Sequence, residues 1–335
     1  MAQWGQVGVV GLGHEPEAGV HSYLAQVGEG SRRDGAWARL RHLARVNIAH
    51  NYIHGVRRRS NALDWLDRAG RIEQRLLQPL HRPGPLTERA QKFRDLDYAV
   101  GQGMVPVSLV AALRDEIFAA GHYHDPYQPD FAHHGPPELS DHPLLYMEAR
   151  ALHGSASFLR ICANPGFIAF CHEVLGPAAA LTWAWAWISN PAASNYQNQN
   201  WHRDSAEPLN FIRCFVPLNP IAGIEDGPTA LIPGSSRAPE CREVRRFSDD
   251  DIAPLQARYG AGIVGAEPGD MYFVNTMAVH KGVTPQRRRA LLSLLVSLGP
   301  SHRTPSIVPV RFADQPEDVK DVVGAHRRFF RHLVA

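Results

Sequence analysis

Ala180-Leu181-Thr182-Trp183-Ala184-Trp185-Ala186-Trp187-Ile188 decides the fold class, because large and small side chains alternate along it with a period of two. That repeat belongs to a β-strand and not to a helix. Trp183, Trp185 and Trp187 therefore share one face, which is expected to pack between sheet and helices, with a wall of a substrate pocket as the alternative. Further strand-like runs follow at 211–218, 229–232, 271–275 and 290–298, separated by Gly and Pro turns and with little helical pattern between most of them. Several short strands in this order predict an all-β core built as a double-sheet jelly roll or barrel.

Helical spacing flanks this core. Residues 108–120 and 158–175 read as amphipathic helices, the second stopped by Gly176-Pro177, and residues 93–100 read as a short strand. The stretch 121–143 carries His122, His124, His133, His134 and His142 among prolines, and is expected to be a mobile loop near the mouth of the site rather than a metal cluster. Nearer the N-terminus, Leu40, Leu43, Val46, Ile53, Leu63, Leu66, Ile72 and Leu76 recur at helical spacing, with Arg57-Arg58-Arg59 between helices and Pro79, Pro83, Gly84 and Pro85 as a linker. The glycines at 8, 11 and 13 do not complete a dinucleotide-binding fingerprint, since Pro16 stands where its last glycine is required. The expected organisation is a mainly helical N-terminal extension over 1–90, a jelly-roll catalytic domain over 91–300, and a C-terminal tail with a short helix over 301–335.

A formal net charge of +2 gives no global electrostatic reason to bind nucleic acid or an anionic membrane. Cys162, Cys171, Cys214 and Cys241 lie far apart with no C-x-x-C spacing, which argues against a zinc knuckle or a disulfide framework. No stretch reaches the ~18 apolar residues of a membrane span, and no basic segment precedes an apolar leader. A soluble cytoplasmic protein is expected.

The chemistry lies in Trp201-His202-Arg203-Asp204 and in His280, which follows His202 by 78 positions (280 minus 202). Two imidazoles and one carboxylate can hold one face of a ferrous ion and leave the opposite face open. His202 and Asp204 are two apart, so on extended backbone both point to one face and Arg203 points away. His280 is then expected from a strand lying alongside.

Context strengthens this reading. The pair is followed by Asp226-Gly227-Pro228-Thr229-Ala230-Leu231-Ile232-Pro233-Gly234-Ser235-Ser236, then by Gly269-Asp270, His280 and Arg287-Arg288-Arg289. Over residues 91–300 this order resembles the phytanoyl-CoA dioxygenase (PhyH-like) family of Fe(II)/2-oxoglutarate-dependent oxygenases. The resemblance implies that His202, Asp204 and His280 are the iron ligands. It implies that Arg288 receives the distal carboxylate of 2-oxoglutarate, with Arg289 as the alternative because a shift of one residue reverses the faces. Gln199 and Arg150 are further cosubstrate candidates. Two departures stand out: Ser236 occupies a position usually held by His, and Gly282 lacks the hydroxyl of the family's serine near the cosubstrate.

The implied activity is hydroxylation of an unactivated C–H bond of a small molecule, with 2-oxoglutarate and O2 converted to succinate and CO2 and with ascorbate as an optional reductant. Asp204 argues against halogenation, for which related enzymes replace the carboxylate by a small residue. Desaturation, epoxidation or ring formation stay open beside hydroxylation, because they depend on substrate placement; the alternatives from other classes are a jelly-roll metal-binding module without turnover and a cupin-type metalloenzyme that does not use 2-oxoglutarate. Arg242, Arg245 and Arg246, in the insertion after the Pro-Gly turn, read as a solvated surface, with contact to an anionic substrate as the alternative.

Overall fold

The computed structural model describes residues 85–204, 211–241, 245–298 and 308–334. Most of the predicted N-terminal extension, including the 37–80 helices and Arg57-Arg58-Arg59, lies outside the described residues, as does Arg242.

Eleven described strands form two sheets. In chain order they are β1 (Tyr98–Gly101), β2 (His122–Asp125), β3 (Gln128–His134), β4 (Leu144–Met147), β5 (Ala179–Ser189), β6 (Phe211–Pro217), β7 (Thr229–Leu231), β8 (Gly262–Val264), β9 (Met271–Val274), β10 (His280–Gly282) and β11 (Arg289–Leu298). The larger sheet has the order β1-β9-β6-β11-β5-β4-β2-β3, and the smaller one β10-β7-β8. Every pairing between these strands is antiparallel. The inner faces meet in an apolar cluster: Phe215, Tyr272, Val274 and Leu291 of the larger sheet pack with Leu231 and Val264 of the smaller. This is a jelly-roll core.

The described α-helices are α1 (Glu88–Leu96), α2 (Val107–Phe118), α3 (Ala149–Gly154), α4 (Ala156–Cys162), α5 (Pro165–Leu175), α6 (Asp249–Tyr259) and α7 (Glu317–Ala325). The outer face of the larger sheet presents Ala184, Ala186, Leu292 and Leu294 to Phe93, Leu113, Phe158 and Phe167 of the helices in one continuous core. The C-terminal segment belongs to that core, since Phe329, Phe330 and Leu333 are buried and the Leu181 amide donates to the Phe329 carbonyl at 2.8 Å. No helix among the described residues is long and apolar enough to cross a membrane.

Three local expectations need correction. Residues 93–100 are not one strand: Thr87 caps α1 by accepting the Ala90 amide at 3.2 Å, the helix runs on through Phe93, and Asp97 ends it in the left-handed conformation at φ 66° before β1 begins. The 158–175 helix is two helices, because Asn164 caps α5 by accepting the Phe167 amide at 2.9 Å and Pro165 starts a fresh first turn where its missing N–H costs nothing.

The first part of the His-rich stretch, residues 122–134, is no loop. It forms the β2–β3 hairpin, with His122 opposite His134 and Tyr123 opposite His133. Pro129 is tolerated within β3 because that strand lies at the edge of the sheet, and the other prolines fall in the turn and after the strand.

Candidate functional site

His202 sits on extended backbone beside β10. Its amide donates to the His280 carbonyl and the His280 amide donates back to the His202 carbonyl, both at 2.9 Å, while the Asp204 amide donates to Thr276 at 2.9 Å. The Pro-Gly turn braces the other side: Ser235 Oγ donates to the Ile232 carbonyl at 2.6 Å and accepts the Val279 amide at 2.8 Å. The side chains of His202, Asp204 and His280 converge, with one ligand atom from each within 4.8 Å of the others.

Both imidazoles are oriented by their other nitrogen. His202 Nδ1 donates to the Asn200 carbonyl at 2.8 Å, and His280 Nδ1 donates to the Ala278 carbonyl at 2.9 Å. A carbonyl only accepts, so Nδ1 carries the proton in each ring and Nε2 keeps its lone pair for a metal. Burial, reinforced by His202, lowers the His280 pKa to about 3 against the opposing pull of Asp204. His280 is thus neutral at physiological pH, as a metal ligand must be.

Asp204 divides its carboxylate. Oδ1 lies 3.5 Å from His202 Nε2, and Oδ2 accepts from Arg213 Nη2 at 3.2 Å. The Arg213 guanidinium also covers the Trp183 ring at 4.6 Å and donates to Ser293 Oγ at 3.4 Å. Sequence reading missed Arg213. Its signal was there: a single cation inside the otherwise apolar run Phe211-Ile212-Arg213-Cys214-Phe215-Val216, on a strand buried along its length. Arg203 points away as expected, its guanidinium held by the Cys241 and Ser236 carbonyls.

The three consecutive arginines go to different places. Arg287 pairs outward with Glu225 and Asp226, at 2.9 and 2.7 Å. Arg288 donates to Asn190 at 2.7 Å and approaches Glu138 at 3.9 Å. Arg289 turns inward with Leu291, Ser293 and Leu295, opposite Ser189, Trp187, Trp185 and Trp183 of β5. It is 4% exposed, donates to Ser189 Oγ at 3.0 Å and to the Gly227 carbonyl, and has a buried Nε without a partner. No carboxylate among the described residues pairs with it. A Cβ placed on Gly282 would stand 3.6 Å from its Nη2, so the guanidinium faces the strand that carries His280.

Gln199 is buried, with Oε1 accepting the Tyr196 amide at 2.7 Å and Nε2 unpartnered. Arg150 is exposed on α3. Ser236, at the first departure from the family pattern, donates to Asp97 Oδ1 at 2.6 Å and its amide donates to Oδ2 at 3.2 Å. Asn275 Nδ2 donates to the same carboxylate at 2.8 Å, tying the Pro-Gly turn to the strand before His280.

The tryptophans lie on the inner face, not between sheet and helices. Burial alternates along β5 so that Ala184 and Ala186 are enclosed against the helices while Trp183, Trp185 and Trp187 remain partly open. Tyr146 meets both Trp185 and Trp187, at 5.0 and 5.5 Å between ring centroids, and Tyr127 continues the wall at 6.5 Å from Tyr146. Desolvation holds both phenols above their ordinary pKa, so they are neutral. The expected packing between sheet and helices is therefore not what the fold adopts: the three tryptophans stand on the inner face.

No protein-family model matches the chain, and no curated protein matches it. Three solved structures are similar in outline. HygX from Streptomyces hygroscopicus, with nickel, 2-oxoglutarate and hygromycin B bound, is 16% identical over 70% of this chain and 94% of its own, at a TM-score of 0.47. The non-heme alpha ketoglutarate dependent epimerase SnoN from nogalamycin biosynthesis is 16% identical over 62% of this chain and 81% of its own, at 0.45. The non-heme alpha ketoglutarate dependent carbocyclase SnoK, also from nogalamycin biosynthesis, is 16% identical over 64% of this chain and 84% of its own, at 0.45. The chemistry of this chain has to come from its own side chains.

Proposed function

We propose that the protein is an Fe(II)/2-oxoglutarate-dependent oxygenase, PhyH-like in the order of its motifs, that hydroxylates an unactivated C–H bond of a small molecule. The observation that carries this reading is Arg289, a buried guanidinium with no carboxylate partner among the described residues, set against the strand that presents His280. Burying an unpaired charge is costly, so such a group calls for an anion.

The donor set fits the metal. His202 Nε2, His280 Nε2 and an Asp204 oxygen would hold Fe(II) on one face, with both imidazoles already in the required tautomer. Arg289 would take the distal carboxylate of 2-oxoglutarate through its planar fork, in preference to Arg288, whose Nε is committed to Asn190. Gln199 Nε2 is a second unpaired donor, suited to a carboxylate oxygen. Bound there, iron supplies the oxidising chemistry that converts 2-oxoglutarate and O2 to succinate and CO2 and delivers an oxygen atom to the substrate.

The chain's own contribution is to orient and enclose. The reciprocal backbone bonds of His202 and His280 hold the imidazoles side by side, and Arg213 restrains one oxygen of Asp204. The tryptophan and tyrosine wall limits water around the reacting bond.

The purified full-length protein, given Fe(II) and 2-oxoglutarate without O2, is expected to develop the visible absorption band of an iron–2-oxo-acid chelate. Admitting O2 with ascorbate present should then release succinate slowly. A protein that binds metal but shows neither band nor succinate is a metal-binding module, and metal-dependent turnover indifferent to 2-oxoglutarate would indicate cupin-type chemistry.

A further inference from the structure

The backbone places a third side chain beside the two histidines. His202 forms antiparallel bridges on both sides, with His280 on one and Arg246 on the other, and the Phe247 amide donates to the Trp201 carbonyl at 2.9 Å beside the second bridge. Residues directly opposite across an antiparallel pair project from the same face, with Cβ atoms roughly 5 Å apart. The row His280–His202–Arg246 therefore presents two imidazoles and one guanidinium to the same space. The imidazole rings are 4.2 Å apart between centroids and define that space as the metal site.

Arg246 has no carboxylate partner among the described residues, unlike its neighbour Arg245, which pairs with Asp251 at 2.8 Å. Arg246 is exposed at the rim, where partial desolvation of its guanidinium lowers its pKa while the Tyr127 phenol and the Asp204 carboxylate raise it, so these two groups are its electrostatic neighbours. Arginine stays charged through such shifts. Asp204 is already engaged by Arg213, and Arg289 lies deeper, against Gly282. With Arg213 on Asp204 and Arg289 assigned to 2-oxoglutarate, Arg246 is the cation of this row without a carboxylate contact among the described residues. Beside Tyr127 runs a partly open aromatic surface, Tyr127, Trp185 and Trp183, with the buried Tyr146 behind it and the two tryptophans 3.8 Å apart between ring centroids.

We infer that the substrate is an anionic small molecule with a flat apolar body, its acid group received by Arg246 at the mouth of the site and its body laid on the tryptophan and tyrosine wall. The inference rests on this space being the substrate pocket of the proposed oxygenase. It turns Arg246 from a solvated surface charge into a specificity-determining residue.

A matched pair of dyes tests it without any need for turnover. The probes are 8-anilinonaphthalene-1-sulfonate and N-phenyl-1-naphthylamine, which share an aromatic body and differ in the sulfonate, titrated into the full-length protein with energy transfer from tryptophan as the readout. One charge-assisted contact predicts that the sulfonate binds about 10-fold more tightly than the neutral dye. Arg246→Ala should erase that preference while leaving the neutral dye's affinity and the thermal unfolding midpoint as they were, and Arg246→Lys should keep part of it. Equal binding of the two dyes, binding of neither, or a preference that survives Arg246→Ala would each overturn the inference. The iron–2-oxoglutarate band is scored separately: its absence sinks the oxygenase reading and leaves the dye comparison intact.

Discussion

Arg213 Nη2 donates to Asp204 Oδ2 at 3.2 Å, leaving Oδ1 on the side of His202 Nε2. A guanidinium that occupies one carboxylate oxygen restricts the ligand to the other and holds it in place. Arg213 also lies over Trp183, so this contact links Asp204 to the tryptophan row. Arg213→Met, which keeps much of the volume, is expected to weaken Fe(II) or Ni(II) binding about 10- to 100-fold, as loss of a group supporting a metal ligand typically does. Metal titration followed calorimetrically measures this. Unchanged affinity would mean that Arg213 serves packing alone.

Arg289, the first residue of β11, and Arg288 just before it point to opposite faces. Arg289→Gln is expected to raise the dissociation constant for 2-oxoglutarate about 100-fold, corresponding to about 2.7 kcal/mol for a buried charge contact. Arg288→Gln, which loses the Asn190 contact and the long ion pair to Glu138, should change it by less than about threefold. The iron–2-oxoglutarate band, titrated without O2, distinguishes the two, and the reverse order would return the cosubstrate to Arg288.

Gly282 faces the Arg289 guanidinium. A Cβ there would meet Nη2 at 3.6 Å and Nη1 at 3.9 Å, which is ordinary contact. Gly282→Ala should therefore be tolerated, whereas the extra methyl groups of Gly282→Val would push the guanidinium aside. Overpacking of this kind costs about 1–3 kcal/mol. The expected result is weaker 2-oxoglutarate binding in the valine variant with metal binding preserved.

Asp97 is a structural hub. Its carboxylate accepts from the Ser236 amide, the Ser236 hydroxyl and Asn275 Nδ2, and its backbone occupies the left-handed region. Burial raises its pKa against these donors. Asp97→Ala leaves the donors unsatisfied and should cost about 3 kcal/mol, whereas Asp97→Asn keeps an acceptor, tolerates the conformation and should cost about 1 kcal/mol. Denaturant unfolding compares the two.

His153 couples stability to pH. Its Nε2 donates to the Ala184 carbonyl at 3.2 Å and its Nδ1 accepts the Val308 amide at 2.8 Å, so both nitrogens are committed in the neutral ring. Burial lowers its pKa below 6.5. The unfolded chain then binds the proton more readily, and this contribution, fully present above pH 6.5, is lost as pH falls from there toward the folded pKa. Unfolding free energy measured between about pH 7.5 and about pH 5 should fall less steeply in His153→Gln than in the parent.

Some of this was legible locally. Strand alternation over 180–188 predicted the longest strand, and the spacing of His202, Asp204 and His280 singled out three side chains that the fold brings together. Other readings failed where a local signal has two outcomes. Proline in 121–143 marks a loop or an edge strand, and only the place of β3 at the end of the sheet selects the second. A stretch such as 93–100 reads as a strand until Asp97 is seen to end a helix within it.

What the sequence by itself determined is periodicity and the identity of the chemically capable residues, because a repeat of two and the ligand chemistry of imidazole and carboxylate are properties of a short segment. What only the tertiary structure decided is which face looks inward. The inward turn of Arg289, the partial openness of the tryptophans on the inner face, the hold of Arg213 on Asp204 and the place of Arg246 beside His202 all depend on register against strands distant in the chain. A period of two leaves two faces equally available, and only burial against the partner sheet chooses between them.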